Sequence, residues 1–149
     1  MNLFGMLDLS GSALTAERQR AAVVASNMAN AETTHTAEGG PYKRELVVFR
    51  ARPMQRFPML LASNGGSPLL PEAARGVSVD EVLADPRPPV LRYEPGNPDA
   101  DKKGYVAYPN INPVEEMTDL LGAVRSYELN ASAVQAAKNM IEQSLDLLR

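Results

Sequence analysis

The strongest hydrophobic rhythm in the chain lies near its C-terminal end. Met117, Leu120, Val124, Tyr127, Ala131, Val134, Lys138, Ile141, Leu145 and Leu148 follow alternating steps of three and four, and only Lys138 breaks the apolar row. That spacing predicts an amphipathic helix with one stripe turned to a partner. Its start is also marked. Asn112 suits the N-cap, Pro113 the first helical position, and Glu115 the N3 carboxylate of a capping-box-like pattern. About 35 residues of helix would run roughly 50 Å, far beyond the usual globular length.

A second helical pattern occupies the other end, over residues 12–31, rich in Ala, Glu, Arg and Gln and free of Pro and Gly. Leu7, Leu14, Ala21 and Met28 recur every seven residues, with Leu3, Ser10, Glu17 and Val24 offset from them; Ser10 and Glu17 interrupt that seam. Gly5 and Gly11 weaken the helix upstream, and the many alanines allow a partner helix to come close.

Between the two helices the texture changes. Residues 32–112 hold all but one of the twelve prolines. "ELVVFRA" and "VLRY" fit short strands, "VSVDEVLADPRPP" fits a strand followed by a loop, and Asn64-Gly65 fits a tight hairpin turn. The expected architecture is α+β: two long terminal helices in an antiparallel coiled-coil-like pair, with a small β-rich, proline-rich middle region. The expected division is an assembly helix at 1–31, the middle region at 32–112, and a second assembly helix at 113–149. Two Ala-rich helices alone are weakly stable, so the remaining apolar edges are expected to meet other subunits. The termini of a free subunit are expected to be poorly ordered until assembly.

Composition removes several function classes. The chain has no Cys and one His, which excludes thiolate zinc sites, disulfides, cysteine nucleophiles and histidine metal clusters. A net charge of -3 argues against a general nucleic-acid binder. No apolar run approaches the ~20 residues of a membrane helix, so no membrane insertion is expected. The N-terminus lacks a basic n-region and Asp8 interrupts its apolar part, so it does not fit a cleaved signal peptide.

Candidate chemistry dissolves on inspection. His35 lies between Thr34 and Thr36 with no nucleophile motif, and a solvated loop role is expected. In "PDADKKGY", Asp99, Asp101 and Gly104 match calcium-loop positions, but Lys103 and Asn110 fall where ligands are required, which favours a turn. Glu115 and Glu116 are adjacent on a helix and suit its positive N-terminal dipole rather than a paired-carboxylate site. Lys43, Arg44, Arg50, Arg52 and Arg56 make either a solvated face or an interface with an acidic neighbour. No phosphate loop, dinucleotide fingerprint or nucleophile elbow is present. No catalytic residue, cofactor or metal is expected. A small hydrolase or metal enzyme therefore lacks a ligand set or triad.

Two long stretches carry a resemblance: "SALTAERQRAAVVASNMANAETTHTAEGGPYKRELVVF" and "YEPGNPDADKKGYVAYPNINPVEEMTDLLGAVRSYELNASAVQAAKNMI". The first contains "ASNMANAETT", similar to the signature in which a helix ends in Asn-x-Ala-Asn-x-x-Thr. Together they resemble the bacterial flagellar basal-body rod proteins, most nearly the proximal-rod type. Asn97 and Lys102-Lys103 depart from the family pattern. The resemblance implies a structural subunit that polymerises helically through its terminal helices, transmits torque and continues the axial export channel. It implies passage through the flagellar type III export apparatus without a cleaved signal peptide, and a place in the periplasmic rod. Implied partners are other rod proteins, copies of itself and a basal-body adaptor protein near the membrane ring. By the same carry-over, Asn27, Ala29, Asn30 and Thr33 form the helix-ending junction. Tyr105, Pro109, Asn110 and Asn112 lead into the second helix, and Glu116, Met117, Arg125, Tyr127 and Asn130 lie on it. Asn27 and Asn30 suit either a cap or left-handed backbone at the helix end, and Arg125 suits a directional pair with acidic neighbours. The competing expectation is a cytoplasmic coiled-coil adaptor or export chaperone, which accounts for the helices but not for these signatures.

Overall fold

The computed structural model describes residues 3–52 and 76–146. Helix α1 spans Leu3–Ala29, strands β1 to β4 span Glu45–Ala51, Val77–Ala84, Val90–Tyr93 and Tyr105–Tyr108, and helix α2 spans Pro113–Asp146. The Asn64-Gly65 turn, Arg56 and Leu148 lie outside the described residues. The helices pack along each other, and their direction follows from two contacts. Asn27 meets Glu116, while Arg20, two turns earlier on α1, meets Asp119 further along α2. The pair is therefore antiparallel, as the α+β reading expects.

Helix α1 starts well before residue 12. Gly5 and Gly11 each cost about 1 kcal/mol of intrinsic propensity, yet both are helical, because packing against α2 outweighs local preference. The start of α2 follows local sequence closely: Asn112 Oδ1 accepts the Val114 N–H at 3.1 Å.

The middle region forms two separate antiparallel ribbons, β1–β2 and β3–β4. In the first, Leu46 pairs with Leu83 and Val47 with Val82, and a bulge falls after Val48. This ribbon lies back along α1, where Ser12 Oγ accepts the Val77 N–H at 3.1 Å. Gly76 packs against the Ser12 hydroxyl with a φ of 144°, so no side chain fits there. In the second ribbon Val90 pairs with Tyr108 and Tyr93 with Tyr105. Strand β4 was expected only as a lead-in to α2; four residues with two tyrosines at its ends are too short to announce a strand alone.

The hydrophobic seam expected on α2 does not face α1 along its length. The buried column is instead Glu116, Ala123 and Ala137, with Asn130 half-buried between them, one position ahead of Met117, Val124, Ala131 and Lys138. One residue is about 100° of helix. A seven-residue row on a straight helix also drifts about 20° per heptad. The expected row therefore starts on the outer flank at Met117 and turns inward only later, where Val134 and Ile141 are partly covered. On α1, Ser10 and Glu17 read as interruptions but belong to the packed face with Val24.

Candidate functional site: a buried polar junction

The chain reverses at the end of α1 through a closed loop. Asn30 Nδ2 donates to the Ser26 carbonyl at 2.9 Å, and Thr33 Oγ1 donates to Asn30 Oδ1 at 3.2 Å. No residue other than glycine has positive φ among the described residues, so Asn30 caps the helix in right-handed geometry. Gly39 (φ 89°) and Gly40 (φ 77°) make the turn, and the Tyr42 N–H then returns to the Thr33 carbonyl at 3.0 Å. This loop delivers Tyr42, Arg44 and Glu45 onto the last turns of α1.

There Asn27, 1% exposed, spends its whole hydrogen-bonding capacity. Its Nδ2 donates to the Glu45 carbonyl at 2.9 Å and to Glu116 Oε2 at 3.0 Å. Its Oδ1 accepts the Glu45 N–H at 2.9 Å and the Tyr42 hydroxyl at 3.1 Å. The amide thus pairs with Glu45 as a strand neighbour would, and locks the start of β1 to α1. Glu116, 0% exposed, receives Arg44 Nε on Oε1 at 2.6 Å. Arg44 Nη2 lies 3.6 Å from Asp119, which also faces Arg20 at 3.4 Å. One polar network therefore ties α1, β1 and α2 together. Next to it, the Asp85 N–H donates to the Arg44 carbonyl at 2.7 Å, and Arg87 clasps the Asp85 carboxylate through Nε at 2.7 Å. That clasp holds the Asp85 carboxyl below its ordinary range.

Two expectations need correction here. Glu116 does more than suit the helix dipole from the first turn: its side chain points into the α1–β1 crevice, where Asn27 and Arg44 donate to it. Arg44 does not belong to a solvated basic face. Its partner is 72 residues away in sequence, and no local pattern announces it.

The network holds structure and has no free reactive group. A groove of about 330 Å3 beside it is walled by Val23, Val47 and Phe49 and edged by Arg20 and Asp119, with no Ser, Thr, His or Lys in its lining. No metal-ligating group of three side chains gathers among the described residues. His35 is exposed, and Asp101 acts as a turn residue whose Oδ1 accepts the Lys103 and Tyr105 N–H groups at 2.7 and 2.9 Å. Asp99 accepts the Thr34 hydroxyl at 2.6 Å.

The remaining sequence-derived residues separate by place. Ala29 is exposed in the last turn of α1. Pro109 is buried, and Asn110 Nδ2 reaches the Pro88 carbonyl at 3.3 Å. Asn130 Nδ2 donates to the Ser126 carbonyl at 2.8 Å. Met117, Arg125 and Tyr127 are exposed, and Arg125 forms no ion pair within its own chain among the described residues. Tyr42, Arg44 and Asp119 were not singled out as junction residues; only the position of Tyr42 directly after Gly39-Gly40-Pro41 hinted at a fixed return.

Comparison with known proteins gives a consistent result over nearly the whole chain. Residues 7–34 match the model described as "Flagella basal body rod protein", and residues 102–147 match "Flagellar basal body rod FlgEFG protein C-terminal". The chain is 37% identical over 158 residues to "Flagellar basal-body rod protein FlgC" of Borreliella burgdorferi, covering 100% of this chain and 99% of the relative. It is 38% identical over 151 residues to the protein of that name from Bacillus subtilis, covering 99% of each. With the one from Escherichia coli O6:H1 it shares 40% over 147 residues, covering 99% of this chain and 98% of the relative.

Proposed function

The chain belongs to the FlgC family of flagellar basal-body rod proteins and is a structural, non-enzymatic rod subunit; from that premise we propose that it polymerises helically through its terminal helices. Membership in the rod family also implies assembly with other rod proteins. The observation that carries the proposal is an outward seam on α2. Val114, Met117, Leu121 and Val124 follow steps of three and four and are all exposed, Val114 at 73%. Apolar residues in that order on a soluble helix are the signature of a second helical or sheet partner. Non-identical surfaces that meet without closing generate a filament.

In this reading residues 1–31 and 113–149 are the assembly helices and residues 32–112 face outward. Asn27, Ala29, Asn30 and Thr33 set the direction of the chain at the junction. Tyr105, Pro109, Asn110 and Asn112 set the entry of α2. Glu116 fixes its docking, and Met117, Arg125, Tyr127 and Asn130 serve subunit packing. The polymer transmits torque and continues the axial export channel, with a membrane-ring adaptor protein as a neighbour and the flagellar type III apparatus as the export route. A chain carrying Met117→Asp and Leu121→Asp should fold and be exported yet be missing from purified basal bodies. Normal incorporation of that variant would refute assembly through α2.

A further inference from the structure

Two donors beside the end of α1 point at one place. Asn27 Nδ2 and Arg44 Nε each reach one oxygen of the Glu116 carboxylate, Oε2 at 3.0 Å and Oε1 at 2.6 Å. What aims them comes from earlier in the chain. Asn27 makes its other three hydrogen bonds with Tyr42 and Glu45, at most 18 residues away. The returning loop closes over shorter spans still: Asn30 to Ser26, Thr33 to Asn30, and Tyr42 to Thr33. The backbone of Arg44 is held by the Asp85 N–H, which donates to its carbonyl at 2.7 Å. Glu116, by contrast, lies 89 residues from Asn27 and 72 from Arg44. Loop closure costs more as the closed segment lengthens, so the local bonds form ahead of the distant ones. Before α2 docks, the junction therefore presents one amide N–H and one guanidinium N–H converging on the space of a single carboxylate.

We propose that residues 26–45 close first into a receptor for one carboxylate, and that docking of Glu116 into it is the last step that sets α2 on α1. The receptor is selective by its chemistry. Each donor needs an acceptor oxygen and Arg44 needs a negative charge; an amide would satisfy only one of the two donors. Asp119 does not replace Glu116: it lies 3.6 Å from Arg44 Nη2, is 43% exposed, and stays at the rim. The occupant arrives on a piece that forms locally. Asn112 Oδ1 caps α2 through the Val114 N–H, and Glu116 lies in its first turn. A buried guanidinium without an anion is costly, so the crevice stays open to water until the carboxylate enters. Synthesis from the N-terminus delivers the receptor well before its occupant, and its closure reports a chain complete through residue 116. The step belongs to the single chain and holds whether or not α2 is the assembly surface.

Glu116→Ala removes a group the size of an acetate ion, which makes acetate the probe. The groove beside the network borders Asn27, Arg44 and Glu116, so this substitution opens the receptor to small solutes. In urea unfolding of the full-length variant, about 1 M sodium acetate should raise the folded-to-unfolded ratio about tenfold over sodium chloride at the same concentration. The unsubstituted chain, with its receptor filled, should show no such difference, and adding Arg44→Gln to Glu116→Ala should abolish it. Refolding kinetics test the order of closure. Glu116→Gln should leave the refolding rate within about twofold and speed unfolding about tenfold, whereas Tyr42→Phe should slow refolding about threefold. An equal response of Glu116→Ala to acetate and chloride, including a chain that stays unfolded in both, would overturn the receptor. Refolding of Glu116→Gln slowed as much as its unfolding is sped, or no slowing in Tyr42→Phe, would overturn the order.

Discussion

The two ends of the helix pair are built on different principles. Where α1 finishes and α2 begins, Asn27, Arg20, Arg44, Glu116 and Asp119 cross between elements, and every side-chain hydrogen bond between the helices among the described residues falls there. At the other end Ser10 and Ala137 are buried and Leu7, Ala133, Val134 and Ile141 half-buried, while Met6, Leu9, Met140 and Leu145 remain exposed. One end is specified by partners that only one geometry satisfies; the other offers small surfaces and little apolar area. A subunit designed to stand alone would place its large apolar side chains between its helices. Here Met6, Leu9, Met117, Leu121, Val124, Met140 and Leu145 are exposed, which suits a chain completed by its neighbours.

The contrast breaks most sharply at Glu116. Glu116→Ala should destabilise the free subunit by about 3 kcal/mol, because the half-buried Arg44 guanidinium and the buried Asn27 amide both lose their shared carboxylate and only Asp119 remains near Arg44; urea unfolding reads this directly. Asn27→Ala comes next, at about 1–3 kcal/mol, since Glu45 and Glu116 both lose a buried partner. Comparing Ala123→Leu with Ala137→Leu sharpens the point. The first should cost about 1–3 kcal/mol of overpacking near the locked end. The second should cost less, because the distal helices can separate. Equal costs would mean that both ends are held alike.

How much of this was legible beforehand depended on the distance over which the cause acts. The α2 start was readable because Asn112, Pro113 and Glu115 act within one turn. The strands β1 and β2 were readable because β-branched runs are local, and the junction was visible as a direction change at Gly39-Gly40. The latch was not, since Glu116 lies 89 residues from Asn27 and 72 from Arg44. A count of threes and fours found the right helix but turned its face about one residue too far. Straight α-helices do not hold a seven-residue row against one partner, and small polar residues such as Ser10 and Asn130 can line a seam.

The smallest expected effect is with pH. Asn97 and then Tyr108 donate to Glu94 and hold its carboxyl below the ordinary 4.5, as Arg87 does for Asp85 below 3.8. For groups lowered on folding, the stabilisation is fully present above those ordinary values and is lost as pH falls through the lower folded ones. Stability of the free subunit should therefore be flat from neutral pH down to about 5 and decline in acid. Asn97→Ala should blunt that decline slightly without touching the latch.

Hydrogen exchange on the free, full-length subunit tests the central claim most directly. The account predicts slow exchange for residues 20–29 and 116–124, where the network clamps the helices, and fast exchange for residues 5–12 and 133–146. Uniform strong protection along both helices would contradict it, because the distal halves would then need no neighbour to hold them.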